Sequence, residues 1–363
     1  MSLPVVWILI FQGVLPAPAQ HFSPVQWHAH EMFFGFGWAV LGGFLLTASK
    51  NWVGVRGYHG GTLMFLAAAW IFERAGMSLG GAWPRPLFLL SNNLFLASIV
   101  ILLLATLIRH RSTDSYRRDN VFFLIILPLF WIAKTLLLQP EHFNTGWSMT
   151  LGLFRVAFLV MFERTLTQFM RAAFAVDILR KPALDTAIKA LAAVLVFAAL
   201  LPAGLAHGLE LLLAALLLGR LAFWHPLKAC TRLDIGIMYL GYLAIVAQLL
   251  IDALPPPGAT GWVGTVAAHV FTFGAMGLVI PAMIIRIANG HTGRKVIFGG
   301  FEKAVLWIMI AALVLRLVGP QFMPAAYLRW LDLAAACWFA AFALLAWRLI
   351  PQLAQARIDG REH

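Results

Sequence analysis

WHAHEMFFGFGWAVLGGFLLTA, residues 27–48, is an apolar run whose mouth carries two imidazoles and a carboxylate, His28, His30 and Glu31. About 20 apolar residues cross the hydrocarbon core of a bilayer. Ionisable groups at that depth cost at least ~2.5 kcal/mol each, so they persist where they bind something or pair with each other. At about 100° per residue, His28 and His30 point about 200° apart around a helix, whereas His28 and Glu31 lie within about 60° of each other. Helical histidines so placed look toward different partners, unless His28 precedes the first turn. Interfacial or capping histidines at a wet helix end are the plainer alternative.

The rest of the chain has the same character. Of 363 residues, 61% are hydrophobic and 12% charged, about half the charged share of soluble domains. The formal net charge of +12 is spread over short basic clusters between apolar runs, the pattern of the positive-inside rule and not of a nucleic-acid surface. Cys230 and Cys337 are the two cysteines, one near a basic loop and one in an apolar run. They provide neither a disulfide framework nor a Cys-rich metal site, so a metal here uses His, carboxylate or Met.

Apolar runs recur at about 28–48, 60–80, 86–108, 120–138, 146–165, 184–203, 206–224, 233–253, 262–286, 300–318 and 328–350. Residues 1–16 are apolar but short for a span. Ala17-Pro18-Ala19 resembles a signal-peptide cleavage site, yet Met1-Ser2-Leu3-Pro4 lacks a basic n-region, which favours a shortened first helix. The expectation is an all-α polytopic transmembrane helix bundle of about twelve spans, a single integral membrane domain over 1–363 with no soluble domain. Pro255-Pro256-Pro257-Gly258 reads as an external turn. No sequence repeat is evident.

Loop charge orients the chain. Lys50 and Arg56, then Arg109, Arg111, Arg117 and Arg118, then Arg171, Arg180 and Lys181, then Lys228 and Arg232, then Arg294 and Lys295, then Arg357 and Arg361 mark alternate connections and the C-terminal tail. The intervening connections carry no Lys or Arg except Arg85. Both termini are therefore expected in the cytoplasm. His28, His30 and Glu31 then open the second span on the outer side, where the tenth span, starting near Trp262, carries His269 about two turns in. His21, His142 and His207, the last with Glu210 one turn on, also fall outside; His59, His110, His225 and His291 fall inside.

Neutral imidazole suits copper, zinc and haem iron alike. Met32 and Met276 are available as soft ligands for copper or as ordinary packing residues. Glu73-Arg74, Lys134 and Arg155 lie within apolar runs. These cations suit haem propionates or an anionic substrate, or else a buried salt-bridge network in which Glu73 pairs with Lys134 or Arg155. Asp252, Asp332, Arg316 and Arg348 near helix ends read as snorkelling or capping groups. Gly290-His291-Thr292-Gly293-Arg294 is either an anion-cradling turn or a simple chain reversal. The hydrolase and P-loop signatures are absent.

The chain resembles the NnrS family in Trp27–Phe36, in Gly42-Gly43-Phe44-Leu45-Leu46-Thr47-Ala48 and in Asn51-Trp52-Val53-Gly54. The similarity continues in Glu163-Arg164-Thr165, in Arg232-Leu233, in Ala268–Gly277 and in Gly290–Arg294. The resemblance implies a bacterial inner-membrane protein with haem b and copper, acting in nitric oxide and nitrosative-stress physiology associated with denitrification. It departs from the family at the short N-terminus and at Phe162-Glu163, where a glycine is expected before the arginine.

Two functions compete. One is a haem/copper protein that binds, senses or turns over nitric oxide, with His28, His30 and His269 as ligands and Arg74 and Arg155 near propionates. Glu31, Met276, Arg164, His225 and His291 are secondary candidates. Oxidoreductase turnover stays open, since an electron donor such as a quinol needs an entry site that the residues do not reveal. The other is a transporter or metal- or haem-handling carrier, against which stand the lack of an inverted repeat and the gathering of histidines near one face. The lipid bilayer and a small gaseous ligand are the expected partners. Cysteine labelling from the periplasmic side checks the orientation: modification is expected at position 141 and not at 118, and the reverse overturns the sidedness of every histidine.

Overall fold

The computed structural model describes residues 2–18, 22–256 and 261–360, with backbone alone at 118 and 119. Met1, Ala19, His21, Pro257, Gly258 and Arg361, named above, and the side chain of Arg118, lie outside the described residues. All regular elements among these residues are helices: α1 (Leu3–Phe11), α2 (Pro24–His30), a first π-helix (Glu31–Gly37), α3 (Trp38–Val53), α4 (Gly61–Leu79), α5 (Arg85–Arg109), α6 (Arg117–Leu137) and α7 (Phe143–Phe174). There follow α8 (Pro182–Val194), α9 (Ala203–Ala222), α10 (Pro226–Ala229), α11 (Leu233–Ala253), α12 (Val266–His269), a second π-helix (Val270–Met276), α13 (Gly277–His291), α14 (Gly300–Leu317), α15 (Gly319–Phe322) and α16 (Tyr327–Leu353). Short 3-10 turns join or extend several of them.

Eleven continuous helical segments among the described residues are long and apolar enough to cross a membrane. The chain is a multi-pass membrane protein. The opening segment forms α1, whose nine residues rise about 13 Å and fall short of a full span. The chain divides into two compact units, Leu9–Phe154 and Arg155–His363 with Met1–Ile8, and α7 contributes to both.

In the first unit, α2 starts at a capping box. Ser23 Oγ accepts from the Gln26 N–H, and Gln26 Oε1 accepts from the Ser23 N–H at 2.8 Å, which satisfies donors that a helix start leaves open. Pro24 supplies a preset φ at the first helical position. His28 is thus fully inside the helix, and its divergence from His30 stands. Gln26 Nε2 donates to the Leu137 carbonyl at 3.1 Å and ties α2 to the end of α6. α3 ends at Gly54, whose φ of 69° closes the helix in the left-handed region.

The core of this unit is aromatic. Trp38 packs on Phe130 with centroids 4.8 Å apart, and Phe130 meets Phe154 edge-on at 5.3 Å. Where helices approach more closely than such rings allow, glycine stands: a Cβ on Gly146 of α7 would lie 2.2 Å from the backbone nitrogen of Leu137. Small residues at helix crossings are the usual means of close packing in a membrane, where water exclusion drives nothing.

In the second unit, α11 crosses the second π-helix with the same economy of side chain. A Cβ on Gly274 would sit 2.5 Å from the Ala244 Cβ, and one on Gly241 would sit 2.4 Å from Val279 Cγ2. Ile8 of α1 packs on Leu331 and Ala335 of α16. The turn after α13 is a helix terminus and not an anion cradle. The N–H groups of Thr292, Gly293 and Arg294 donate to the carbonyls of Ala288, Gly290 and Asn289, and Gly293 takes φ 72°. Arg357 donates to the His291 carbonyl at 3.2 Å, so the tail covers the same end.

Candidate functional site

His30 sits in the first unit where α2 passes into the π-helix, with none of its surface exposed. Its Nδ1 faces Glu31 Oε1 at 3.2 Å and its Nε2 faces Asn92 Nδ2 at 3.2 Å. Nδ1 thus has a carboxylate to donate to, while Nε2 lies between the Asn92 amide and the carboxylate oxygen Oε1 of Glu73, 3.5 Å away.

Glu73 is the centre of an ionic network. Lys134 of α6 donates to Glu73 and to the Asn92 carbonyl of α5, and no part of Glu73 or Lys134 is exposed. Arg74 places Nη1 3.1 Å from Glu31 Oε2 and Nη2 3.3 Å from Glu73 Oε2. Two carboxylates and two cations balance without the imidazole. Of the two pairings open to Glu73 in sequence, Lys134 is the one formed.

The π-helix makes room for this network. An i→i+5 segment is wider than an α-helix and displaces its carbonyls. The Gly35 carbonyl accepts from Trp70 Nε1 at 2.7 Å, and a Cβ on Gly35 would lie 1.7 Å from Arg74 Nη1. Gly35 is therefore the opening through which the guanidinium reaches Glu31.

His269 closes α12 in the second unit and is half-buried. Its Nδ1 lies 2.8 Å from the Thr265 carbonyl and 2.9 Å from Thr265 Oγ1. Arg316 Nη2 is 3.3 Å from each ring nitrogen. Arg316 is thus not a snorkelling group at a helix end: it is buried beside the imidazole. Arg348, by contrast, is exposed and stands 3.7 Å from Glu302.

The remaining candidates disperse. His28 is half-buried on α2, one residue across the helix from His30. Met32 and Met276 are buried inside the two π-helices. Glu163 pairs with Arg180 and, at 3.4 Å, with Lys189, an ion-pair role that its sequence left open. Arg164 is its half-buried neighbour. Arg155 is 3% exposed, with Nε and Nη1 lacking hydrogen-bond partners among the described residues, and the charges that act on it are those of Asp252 and Glu210. Asp252 accepts from Gln248, a contact inside α11 and not a cap; Asp332 is exposed. His225 is an exposed loop residue with φ 50°, and His291 ends α13. No cluster of three or more His, Cys, Asp or Glu side chains among the described residues is arranged to hold a metal ion.

Asn92, Thr265 and Arg316 are the site residues that sequence reasoning missed. The polar triplet Ser91-Asn92-Asn93 inside an apolar run was a usable signal for the first.

The family model described as NnrS protein matches residues 1–357. The chain belongs to the NnrS family. No curated protein and no solved structure matches it. The matched residues include both the buried ionic network around His30 and the Thr265–Arg316 pair around His269.

Removing one partner of a buried ion pair strands the other. Lys134→Met is expected to lower stability by ~3–5 kcal/mol, seen as a depressed melting temperature in detergent. The double variant Glu73→Gln/Lys134→Met should recover part of that loss; no recovery contradicts the pairing.

Proposed function

We propose that this NnrS-family protein is a haem- and copper-binding protein of the bacterial inner membrane that binds nitric oxide or a related small molecule at histidine-ligated sites. The observation that carries the reading is the way His30 is held. A metal-ligating histidine typically gives its second ring N–H to a carboxylate or a backbone carbonyl. His30 has Glu31 for that purpose and His269 has the Thr265 carbonyl. With Nδ1 of each imidazole on an acceptor, a metal would take Nε2 and would displace the donor that now faces it, Asn92 at His30 and Arg316 at His269.

When bound, haem iron or copper would supply a coordination site for a diatomic gas and a one-electron couple. The protein's own part is to fix the imidazole tautomers, exclude water and balance charge. Glu31 orients His30, Asn92 and Glu73 line its Nε2, and Arg74 and Lys134 pair with the two carboxylates in place of a solvent shell. The buried guanidinium of Arg155, with two atoms lacking partners, fits the carboxylate of a propionate. Because the charges of the first unit are engaged with one another, they make a fixed site and not the solvated lining of a carrier.

An absorption spectrum of purified protein tests this most cheaply. A Soret band with haem-like reduced bands is expected, and a colourless protein of full helicity contradicts it. Arg155→Met is expected to lower haem occupancy while the protein still inserts. Unchanged haem content with reduced expression would show a purely structural salt bridge instead.

A further inference from the structure

Around His30 the buried charges balance, Glu31 and Glu73 against Arg74 and Lys134; the second unit holds a cluster in which they do not. Arg155 of α7 is 3% exposed, and the charges that act on its guanidinium are those of Asp252 on α11 and Glu210 on α9. Asp252 acts in turn on Glu210. His207, exposed one turn before Glu210, is within electrostatic reach of both carboxylates. Other charges on the helices packed here have partners of their own. Glu163 pairs with Arg180 and Lys189, Asp185 with Arg220, and Arg286 with Asp234, while Arg316 lies beside His269 and Glu302 stands 3.7 Å from Arg348. Arg164 lies more than two turns further along α7, and Lys303 is exposed at the start of α14. Two carboxylates therefore share one guanidinium.

The polar atoms of this cluster are also short of partners. Among the described residues, Nε and Nη1 of Arg155, Oε2 of Glu210 and Oε1 of Gln248 are buried without a hydrogen bond. All three side chains belong to residues more than nine-tenths buried. Donors on Arg155 and acceptors on the other two are complementary, and ordered water settles among such groups inside a protein. The groups descend from one face. Asp252 is half-buried as the penultimate residue of α11 and Gln248 lies one turn below it, while Glu210 is about 10 Å into α9 and Arg155 about 18 Å into α7. The next turns of α7 are aromatic. Phe158 meets Phe271 edge-on with centroids 6.0 Å apart, and Phe162 meets Tyr242 at 5.7 Å. The polar run is an inlet closed at its inner end.

An ionised carboxylate in such surroundings needs a cation of its own, and neighbouring carboxylates that have one between them titrate as a pair. We propose that Arg155, Glu210, Gln248 and Asp252 form a hydrated proton-binding site, in which Glu210 and Asp252 share one exchangeable proton taken from water at the face where His207 is exposed. That proton neutralises one carboxylate, and the other stays on Arg155. Gln248 suits either state: its amide N–H donates to Asp252, and its oxygen can accept from the same group once protonated. The site goes beyond the function proposed above. A propionate on Arg155 would add a carboxylate to the same count and leave the shared proton in place.

Neutral isosteres test the count in full-length protein purified in detergent. Glu210→Gln and Asp252→Asn each leave one carboxylate matched with Arg155 and are expected to melt at the wild-type temperature. Glu210→Gln/Asp252→Asn strands the guanidinium and is expected to melt lower. Infrared difference spectra between mildly acidic and mildly alkaline buffer read the proton itself: wild type is expected to show a protonated-carboxyl C=O band that shifts in heavy water and that each single variant lacks. Single variants that melt as low as the double one, or a carboxyl band unchanged in both, overturn the proposal. So does a wild-type spectrum with no such band, or with one that heavy water does not move, and neither result depends on a variant folding. None of these readouts requires haem or copper, so a colourless protein would sink the functional reading and leave this test intact.

Discussion

A carboxylate with no exposed surface, Glu73 on α4, has to be neutralised inside an apolar bundle, and the first unit is arranged around that need. An isolated charge there would cost several kcal/mol. α6 supplies Lys134, α4 itself supplies Arg74, and α5 supplies the Asn92 carbonyl that takes up a further proton of the ammonium. His30 enters the network through the same two residues, Glu73 and Asn92. The imidazole is held by groups whose own placement is fixed by charge balance.

The π-helices are the second constraint. Local i→i+5 bonding gives up good helix geometry, and it persists here because the displaced groups find partners. The Gly35 carbonyl reaches Trp70, and the space over the glycine admits Arg74. In the second unit α11 fills the equivalent space with Ala244. The same backbone device therefore serves an ionic environment in one unit and an apolar one in the other.

Much of the architecture was legible in sequence because membrane spans leave long apolar runs and basic loops. The run at 233–253 matches α11 residue for residue, and most other boundaries agree to within a turn. The divergence of His28 and His30 followed from helical geometry once α2 was shown to start at Pro24. The partner of His269 was not legible: Arg316 looks like any basic residue near a helix end, and only the packing of α14 brings it to the ring. The recurrence of a π-helix 239 residues on, Glu31–Gly37 and then Val270–Met276, was hidden for a related reason. Beyond Ala29, His30, Phe34 and Gly35, its shared residues are one valine and a few glycines, which apolar helices contain in any case. What the two stretches share is the position of a π-helix, and no residue type announces one.

In the proposed function the imidazole at the head of each π-helix is a ligand. A cryo-electron microscopy map of the protein loaded with haem and copper would show whether it is. Non-protein density is expected within bonding reach of Nε2 of His30 and of His269, with Nδ1 of each still on Glu31 and Thr265. Density on His28, or at His225 and His291, with His30 Nε2 still bonded to Asn92, would contradict it.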